Sequence, residues 1–189
     1  MTYIYHYDSL IGKITMTSDG EALIGLWFDG QKYFANTVQG TCMEKSLPTF
    51  DDTTKWLDIN FGGKQPDFTP NIKILATPFR KVIAEIMLTI PYGKTITYGE
   101  IAKKAGTQMG IEKMSAQAVG GAVGRNPISL IIPCHRVVGT SGSLTGYAGG
   151  IDKKINLLKL EKTDMSNLFI PQKQHRNVIA KSQNNSFMI

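Results

Sequence analysis

The sequence predicts a mixed α/β (α+β) protein, in which a small β-sheet domain with one helix precedes a mostly helical domain. Residues 2–28 are rich in Tyr, Ile, Thr and Leu, which favour strands. After Pro78, apolar residues recur at helical spacing instead. Between these parts, Gly62–Asn71 contains two prolines and several polar residues, as is typical of a linker.

The front part predicts three strands and one helix. The strands are expected at Thr2–Asp8, Gly12–Thr17 and Ala22–Phe28. Asp19 and Gly20 tolerate a positive φ, so they predict a hairpin turn between the second and third strands. The helix is expected near Phe50–Phe61 and ends at Gly62, since glycine favours helix C-termini.

Capping residues predict four helices in the second part. They are opened in turn by Thr77, Thr97, Ser115 and Asp152. Thr97 and Glu100 form a capping box for a helix that ends near Gly106, and the next helix ends near Val123. These two helices suggest a helix-turn-helix, although the link Gly106–Met114 exceeds the usual turn of about 3–4 residues.

The same patterns set the expected domain limits. We expect a first domain over residues 1–70 and a second over residues 71–162. The glycine-rich segment Gly139–Gly150 predicts a loop or wing. Residues 163–189 are polar and predict a flexible tail.

Charge is divided unevenly along the chain, whose net charge is +6. Residues 1–70 hold 5 lysines against 9 acidic residues, whereas residues 71–162 hold 13 basic against 5 acidic residues. A basic second domain favours a polyanionic partner such as nucleic acid. A basic surface that is merely well solvated is the alternative.

The two cysteines, Cys42 and Cys134, do not form the pattern of a disulfide framework. Free thiols in a reducing cytoplasm are the simpler interpretation. Neither a signal peptide nor an apolar run of the roughly 18 residues that span a membrane is evident. Cys42 and His6 lack the spacing of ligand pairs, so no metal site is expected.

The sharpest chemical feature is Cys134 followed by His135 and Arg136. A cysteine is a nucleophile only as thiolate, which needs a nearby base or positive field. Adjacent side chains often point apart, so a buried structural cysteine beside a solvated His-Arg pair is the alternative.

Four motifs in the second part bear on that choice: Thr97-Tyr98-Gly99-Glu100-Ile101-Ala102, Ala118-Val119-Gly120-Gly121-Ala122, Pro133-Cys134-His135-Arg136-Val137-Val138 and Gly146-Tyr147-Ala148-Gly149-Gly150. With Leu157–Glu161, they resemble the O6-alkylguanine-DNA alkyltransferase (methylated-DNA–protein-cysteine methyltransferase) family. The resemblance covers about residues 78–161. It implies a ribonuclease H-like front domain, a winged helix-turn-helix domain, and repair of O6-alkylguanine in double-stranded DNA without a cofactor.

The resemblance also implies a role for each residue near the thiol. Cys134 attacks the alkyl carbon and keeps it, so each molecule turns over once. His135 takes the thiol proton through a water molecule, and Glu161 orients the imidazole, in the logic of nucleophile, base and orienter. Asn126 ties the turn beside the site; read from the sequence alone, it is also an ordinary turn residue before proline.

Further residues are expected to bind the flipped guanine. The Tyr98 hydroxyl donates toward N3, and the Ala148 backbone N–H, beside Tyr147, faces O6. The carbonyls of Cys134 and Val137 accept from the exocyclic amine.

Contacts with DNA follow from the same resemblance, which predicts a monomer that places its second helix in the minor groove. The helix Ala116–Val123 is rich in small residues, which suit either a narrow groove or close helix packing. Gln117 stands where relatives often carry an arginine that fills the gap left by the flipped base. Arg125 is expected to contact phosphate, and Tyr98 and Thr140 are also expected to bind DNA.

Two other functions remain open at this stage. A module that binds the lesion without repairing it would resemble this family, but such relatives carry tryptophan in place of Cys134. A cysteine hydrolase or redox protein would use a similar Cys-His pair, but the sequence has no C-x-x-C motif or Gly-x-Ser-x-Gly elbow.

Overall fold

The computed structural model describes residues 1–171 and confirms the mixed α/β class. A four-stranded sheet forms the front part, in the order β3-β2-β1-β4. Its strands are β1 (Thr2–Ser9), β2 (Gly12–Ser18), β3 (Leu23–Phe28) and β4 (Cys42–Glu44). Strands β1, β2 and β3 pair antiparallel, whereas β4 runs parallel to β1.

The turn between β2 and β3 forms as expected. Asp19 accepts hydrogen bonds from the backbone N–H groups of Glu21 and Ala22, at 3.1 and 2.9 Å, and Gly20 takes a φ of 108°. Strand β4 was not expected, because its exposed residues show no alternation of apolar and polar side chains.

Helices cover the sheet and build the second part of the chain. They are α1 (Pro48–Phe61), α2 (Pro78–Leu88), α3 (Tyr98–Met109), α4 (Ala116–Val123) and α5 (Ile151–Leu160). Thr77, Thr97 and Ser115 cap their helices as expected, and Thr97 and Glu100 complete the capping box. The expected cap Asp152 is wrong: α5 begins at Ile151, and Asp152 lies in its first turn, where its charge still suits the helix dipole.

One apolar core joins the two parts of the chain. It runs from Ile14 and Leu26 in the sheet through Ile101 and Val119 to Cys134. The free edge of β3 is covered by two segments of the second part, since Leu23 bonds with residues 71–73 and Leu26 with residues 127–129. The sheet therefore supports the segment that leads to the cysteine, and the division at residue 70 stays a prediction.

The predicted tail differs from the structure at its start. Thr163 is buried, and Phe169 exchanges backbone hydrogen bonds with Gly142 and Leu144, at 3.2 and 2.8 Å. Residues 163–171 therefore pack along the wing segment Gly139–Gly150 instead of forming part of a flexible tail. The rest of the predicted tail, residues 172–189, lies outside the described residues.

Within residues 1–171, no helix has both the length and the apolar character needed to cross a membrane.

Candidate active site

A tight backbone turn delivers Cys134 to the centre of the molecule. Leu130 is buried and takes a φ of 71°, an unfavourable conformation for a bulky side chain. The Cys134 N–H then donates to the Ile132 carbonyl at 2.8 Å, and a 3₁₀ turn spans Cys134–Arg136. Strained backbone beside a nucleophile indicates that the surrounding contacts fix the position of the thiol.

Asn126 holds both the turn and the thiol. Its amide Nδ2 donates to the Ile132 carbonyl at 2.8 Å and lies 3.1 Å from Cys134 Sγ, while its Oδ1 accepts from the Ile128 N–H at 3.1 Å. An amide donor favours the charged form of the sulfur that it contacts. The expected tying residue therefore also contacts the reacting atom.

His135, the residue that follows Cys134 in the turn, contacts Glu161. His135 Nε2 lies 2.8 Å from Glu161 Oε1, and both side chains are about 1% exposed. Because a carboxylate accepts, this contact assigns the ring proton to Nε2 and leaves Nδ1 with a free lone pair. Nδ1 is buried and makes no hydrogen bond to any residue from 1 to 171.

Arg136 completes a buried ion pair that the sequence interpretation gave no role. Its Nε and Nη2 donate to the two carboxylate oxygens of Glu161, at 2.8 and 2.9 Å, and Nη1 donates to the Ile90 carbonyl at 2.7 Å. The guanidinium also lies 5.4 Å from the ring centroid of Tyr92. A fork-to-fork pair of this kind fixes the carboxylate geometrically as well as electrostatically.

Burial and these partners set the protonation states of the site. Burial raises the pKa of the Cys134 thiol, an effect that the Asn126 amide opposes. Burial also lowers the pKa of His135, although Glu161 opposes it. For Glu161, burial raises the pKa, but the hydrogen bonds and charges of His135 and Arg136 prevail and lower it to about 2. The resting site therefore holds a neutral thiol, a neutral imidazole and a carboxylate at neutral pH.

The wing and α3 form a second wall beside the thiol. The Tyr98 hydroxyl donates to the Thr145 carbonyl at 3.3 Å, and burial raises the pKa of Tyr98 to about 12. The Tyr147 ring meets His135 edge-on, with 6.5 Å between ring centroids. Ala148 follows in the same loop. Burial also raises the pKa of Tyr147 well above its usual value. Both hydroxyls therefore stay protonated at neutral pH and can donate to a bound base.

Lys154 is a buried cation that the sequence interpretation missed. Its Nζ donates to the carbonyls of Val137 and Thr145, at 2.5 and 3.1 Å. Burial lowers its pKa to about 8, against the opposing effect of Cys134. Helical spacing from Ile151 to Leu157 and Leu158 places Lys154 on the buried face of α5, a signal that could have identified it.

The expected DNA contacts lie around α4. Gln117 is exposed in its first turn, and Arg125 is exposed just after its end, where it donates to the Gly121 carbonyl at 3.3 Å. A cavity of about 430 Å³ lies between α4 and the start of α2 and is lined by both Arg80 and Arg125. Arginines beside small residues make this face suitable for a polyanion.

The structure thus gathers eight of the expected residues and leaves three of the expected DNA contacts apart. Cys134, Asn126, His135 and Glu161 are linked by direct contacts or chain adjacency, and Tyr98, Val137, Tyr147 and Ala148 lie in or beside the wing wall. Gln117, Arg125 and Thr140 are exposed, and within residues 1–171 none of their side chains forms a hydrogen bond with the thiol cluster. Residues 1–171 contain no group of three or more His, Cys, Asp or Glu side chains arranged to hold a metal.

A buried thiol beside an oriented imidazole, carried on a domain with two capped helices and a wing, defines a nucleophilic-cysteine protein of the helix-turn-helix class. Comparison with known proteins narrows this class. Residues 78–163 match the family model described as "6-O-methylguanine DNA methyltransferase, DNA binding domain".

Proteins named methylated-DNA–protein-cysteine methyltransferase are similar over most of the chain. The Mycobacterium leprae protein is 39% identical over 86% of this chain and 93% of its own length. The Methanosarcina acetivorans protein is also 39% identical, over 84% of this chain and 97% of its own length. The crystal structure of Mycobacterium tuberculosis O6-methylguanine methyltransferase superposes with a TM-score of 0.73 at 39% identity, covering 86% of this chain and 93% of that one. The chain therefore belongs to the methylated-DNA–protein-cysteine methyltransferase (O6-alkylguanine-DNA alkyltransferase) family.

Proposed function

We propose that this protein repairs DNA directly, by moving an alkyl group from guanine O6 to Cys134. The observation that carries the proposal is the contact of Asn126 with Sγ at 3.1 Å, in a turn whose next residue, His135, is held by Glu161. Relatives named methylated-DNA–protein-cysteine methyltransferase, which share 39% of their aligned residues with this chain, support the same activity.

The transfer is a displacement at the alkyl carbon. The Sγ–C bond forms while the C–O6 bond breaks, and the thiol proton passes through water to Nδ1 of His135. The Glu161 carboxylate stabilises the imidazolium that results, and Arg136 holds that carboxylate in place. Because the product is a thioether, which no residue of the site can cleave, each molecule reacts once.

The guanine leaves as an anion unless it is protonated or hydrogen-bonded. A bound base would replace the Thr145 carbonyl as acceptor of the single Tyr98 hydroxyl proton, which then suits donation toward N3. The Ala148 N–H suits O6, where donors stabilise the developing charge. Lys154 holds the carbonyl of Val137, and a carbonyl has two lone pairs, so Val137 can still accept from the exocyclic amine.

Delivery of the base requires it to leave the duplex, because the thiol residue is only 5% exposed. Flipping costs a few kcal/mol, and less for a mispaired alkylated guanine. We propose that α4 enters the minor groove as part of a monomer, with Gln117, Arg125 and Thr140 facing the DNA. A related structure, that of Mycobacterium tuberculosis OGT in complex with DNA, supports DNA as the partner, with a TM-score of 0.74 at 38% identity over 85% of this chain and 92% of that one.

The two cysteines provide a matched experiment. The wild-type protein, Cys134→Ala and Cys42→Ala are each incubated with duplex DNA containing O6-methylguanine, and methyl transfer is followed by intact-protein mass. The wild type and Cys42→Ala should each gain one methyl group and then stop, whereas Cys134→Ala should gain none.

Two outcomes would overturn the proposal. Methyl transfer to Cys134→Ala would show that another residue is the acceptor. Removal of more than one methyl group from the DNA per protein molecule would exclude a single turnover. Binding of lesion DNA by the wild type without any mass gain would favour the lesion-binding alternative.

A further inference from the structure

A single turn of the front part contacts the DNA-facing end of the second part. The turn follows β3 and spans residues Gln31–Ala35, and two of its residues, Tyr33 and Ala35, take φ values of 62° and 52°. Non-glycine residues rarely adopt this conformation, so two in one short turn indicate that contacts outside the turn hold it in shape.

The Tyr33 ring contacts two cations, Lys32 of its own turn and Arg125 just after the end of α4. The guanidinium carbon of Arg125 is 4.7 Å from the centroid of the Tyr33 ring, and Lys32 Nζ is 5.0 Å from it. Both distances suit a cation–π interaction. Arg125 is further restrained by its hydrogen bond to the Gly121 carbonyl. The ring thus limits the directions in which these two exposed cations can point.

Two hydrogen bonds anchor the same turn to the active site. The Lys32 backbone N–H donates to the Ala148 carbonyl at 3.1 Å, and the buried Gln31 side chain accepts from Ser129 Oγ at 3.3 Å. Ser129 precedes the cysteine turn, and Ala148 lies in the wing loop. The position of the ring is therefore coupled to the wing loop and to the segment that leads to the cysteine.

The turn Gln31–Ala35 is positively charged, whereas residues 1–70 as a whole are acidic. Lys32 is the single charged residue between Asp29 and Glu44. Lys32 and Arg125 both lie near the Tyr33 ring, and the groove lined by Arg125 is also lined by Arg80. This cluster is suited to an anion that lies along α4, and a DNA phosphate has that chemistry.

We propose that Tyr33 is a positioning residue, which holds Arg125 and Lys32 toward the phosphate backbone of DNA, so that the front part of the chain contributes directly to DNA binding. The inference rests on the proposed function. It predicts that Tyr33 affects alkyl transfer from duplex DNA but does not affect transfer from a free alkylated base, which has no phosphate.

The test compares variants in one assay with two substrates. Rates of alkyl transfer are measured with subsaturating duplex DNA containing O6-methylguanine and with the free base O6-benzylguanine. Tyr33→Ala should slow the duplex reaction by about two- to fivefold, the value of an exposed cation–π contact, and should leave the free-base rate within about twofold. Tyr33→Asn, which suits the positive φ, should behave in the same way.

Three controls isolate the ring. Tyr33→Phe keeps the ring and should react like the wild type. Phe34→Ala removes an aromatic side chain of the same turn over which no cation of residues 1–171 lies. In an Arg125→Ala, Lys32→Ala background, Tyr33→Ala should cost less than about twofold more, because residues that act through each other are not additive. Arg125→Ala should also lower the slope of log Kd against log salt by about 0.9.

Several results would overturn the inference. These are an equal loss with both substrates, a loss in Tyr33→Phe, full duplex activity in Tyr33→Ala, or an additive effect in the multiple variant. If the wild type reacts with neither substrate, the proposed function itself fails, and that result is separate from the others.

Discussion

At the scale of single residues, Glu161 combines structural and chemical roles. Its two oxygens accept from His135 and from two nitrogens of Arg136, and the residue is 3% exposed. The Gly93 N–H adds a longer contact at 3.3 Å. Removing this carboxylate would leave a buried guanidinium without a counter-charge, and it would also release the imidazole.

We therefore predict that Glu161→Gln is strongly destabilising. Breaking one partner out of a buried pair costs about 3–5 kcal/mol, measured as a fall in the free energy of unfolding in urea. Asp58→Asn is a suitable control, since Asp58 makes an exposed contact with Tyr7 and should cost under about 1 kcal/mol. A loss of less than about 1 kcal/mol in Glu161→Gln would contradict the ion-pair assignment.

The buried contact between His135 and Glu161 predicts how the free energy of unfolding depends on pH. The pKa of His135 is lowered in the folded state, so the unfolded chain binds more protons as pH falls below about 6.5, and stability decreases there. Glu161 adds a second loss between about pH 4.5 and pH 2, since its folded pKa is about 2. Urea unfolding from pH 8 to pH 4 measures the first loss, which His135→Asn should remove. Constant stability of the wild type across that range would contradict it.

The sequence predicted the reacting residues better than their partners. Cys134, His135 and Glu161 lie in recognisable motifs, so their assembly could be expected. Arg136 was interpreted as a possible solvated residue, because its place two residues after Cys134 does not reveal that the backbone turns it toward Glu161. The direction of a side chain within a 3₁₀ turn depends on long-range packing that no local pattern contains.

At the scale of elements, the loop that joins α3 to α4 packs closely against α3. A Cβ added at Gly106 would lie 2.7 Å from the Ile111 carbonyl oxygen, so the loop folds back directly onto the helix. The helix continues beyond Gly106 to Met109 and ends at Gly110, which has a φ of 66°. The expectation that the helix ends near Gly106 was wrong. Gly106 lies inside the helix, where it allows the loop to pack closely, and Gly110 is the residue that ends the helix.

This contact predicts opposite effects for two glycine substitutions. Alanine normally stabilises a helix interior by about 1 kcal/mol relative to glycine. Gly120→Ala should follow that rule, because the added Cβ would lie 3.9 Å from the nearest atom, in the Tyr98 ring. Gly106→Ala should instead destabilise the protein by about 1–3 kcal/mol through overpacking. Denaturant unfolding of both variants measures the difference. Equal stabilisation by both would contradict the packing described here.

At the scale of the whole molecule, the continuous core couples the acceptor site to the fold. Cys134 belongs to the apolar cluster that reaches from the front sheet to α4, and its sulfur contacts the Asn126 amide. A transferred alkyl group must therefore enter a packed region. It must also disturb the amide contact with the sulfur.

We accordingly predict that methylation lowers the stability of the entire protein. Overpacking of this kind costs about 1–3 kcal/mol, and in a chain of this size each kcal/mol lowers Tm by about 2–4 °C. Thermal unfolding of the methylated protein, compared with protein incubated with unmodified DNA, measures the shift. An unchanged or higher Tm after complete methylation would contradict the prediction.

The overall architecture was predictable where local signals agree with the tertiary structure. The hairpin at Asp19, the capping box at Thr97 and the cap at Ser115 all form as the sequence indicates. The joining of the two parts was not predictable, because the bonds of β3 with residues 71–73 and 127–129 connect segments far apart in sequence. The ring of Tyr33 beside Arg125 belongs to the same long-range class.

The central claim is that Cys134 is the alkyl acceptor, and peptide mapping tests it most directly. The wild-type protein is reacted with duplex DNA carrying O6-methylguanine, digested, and analysed by mass spectrometry, with lesion-free DNA as the control. We expect one methyl group on the peptide that contains Cys134, none on the peptide that contains Cys42, and unmodified guanine in the DNA. A methyl group on Cys42, or intact O6-methylguanine with both cysteines unmodified, would contradict it.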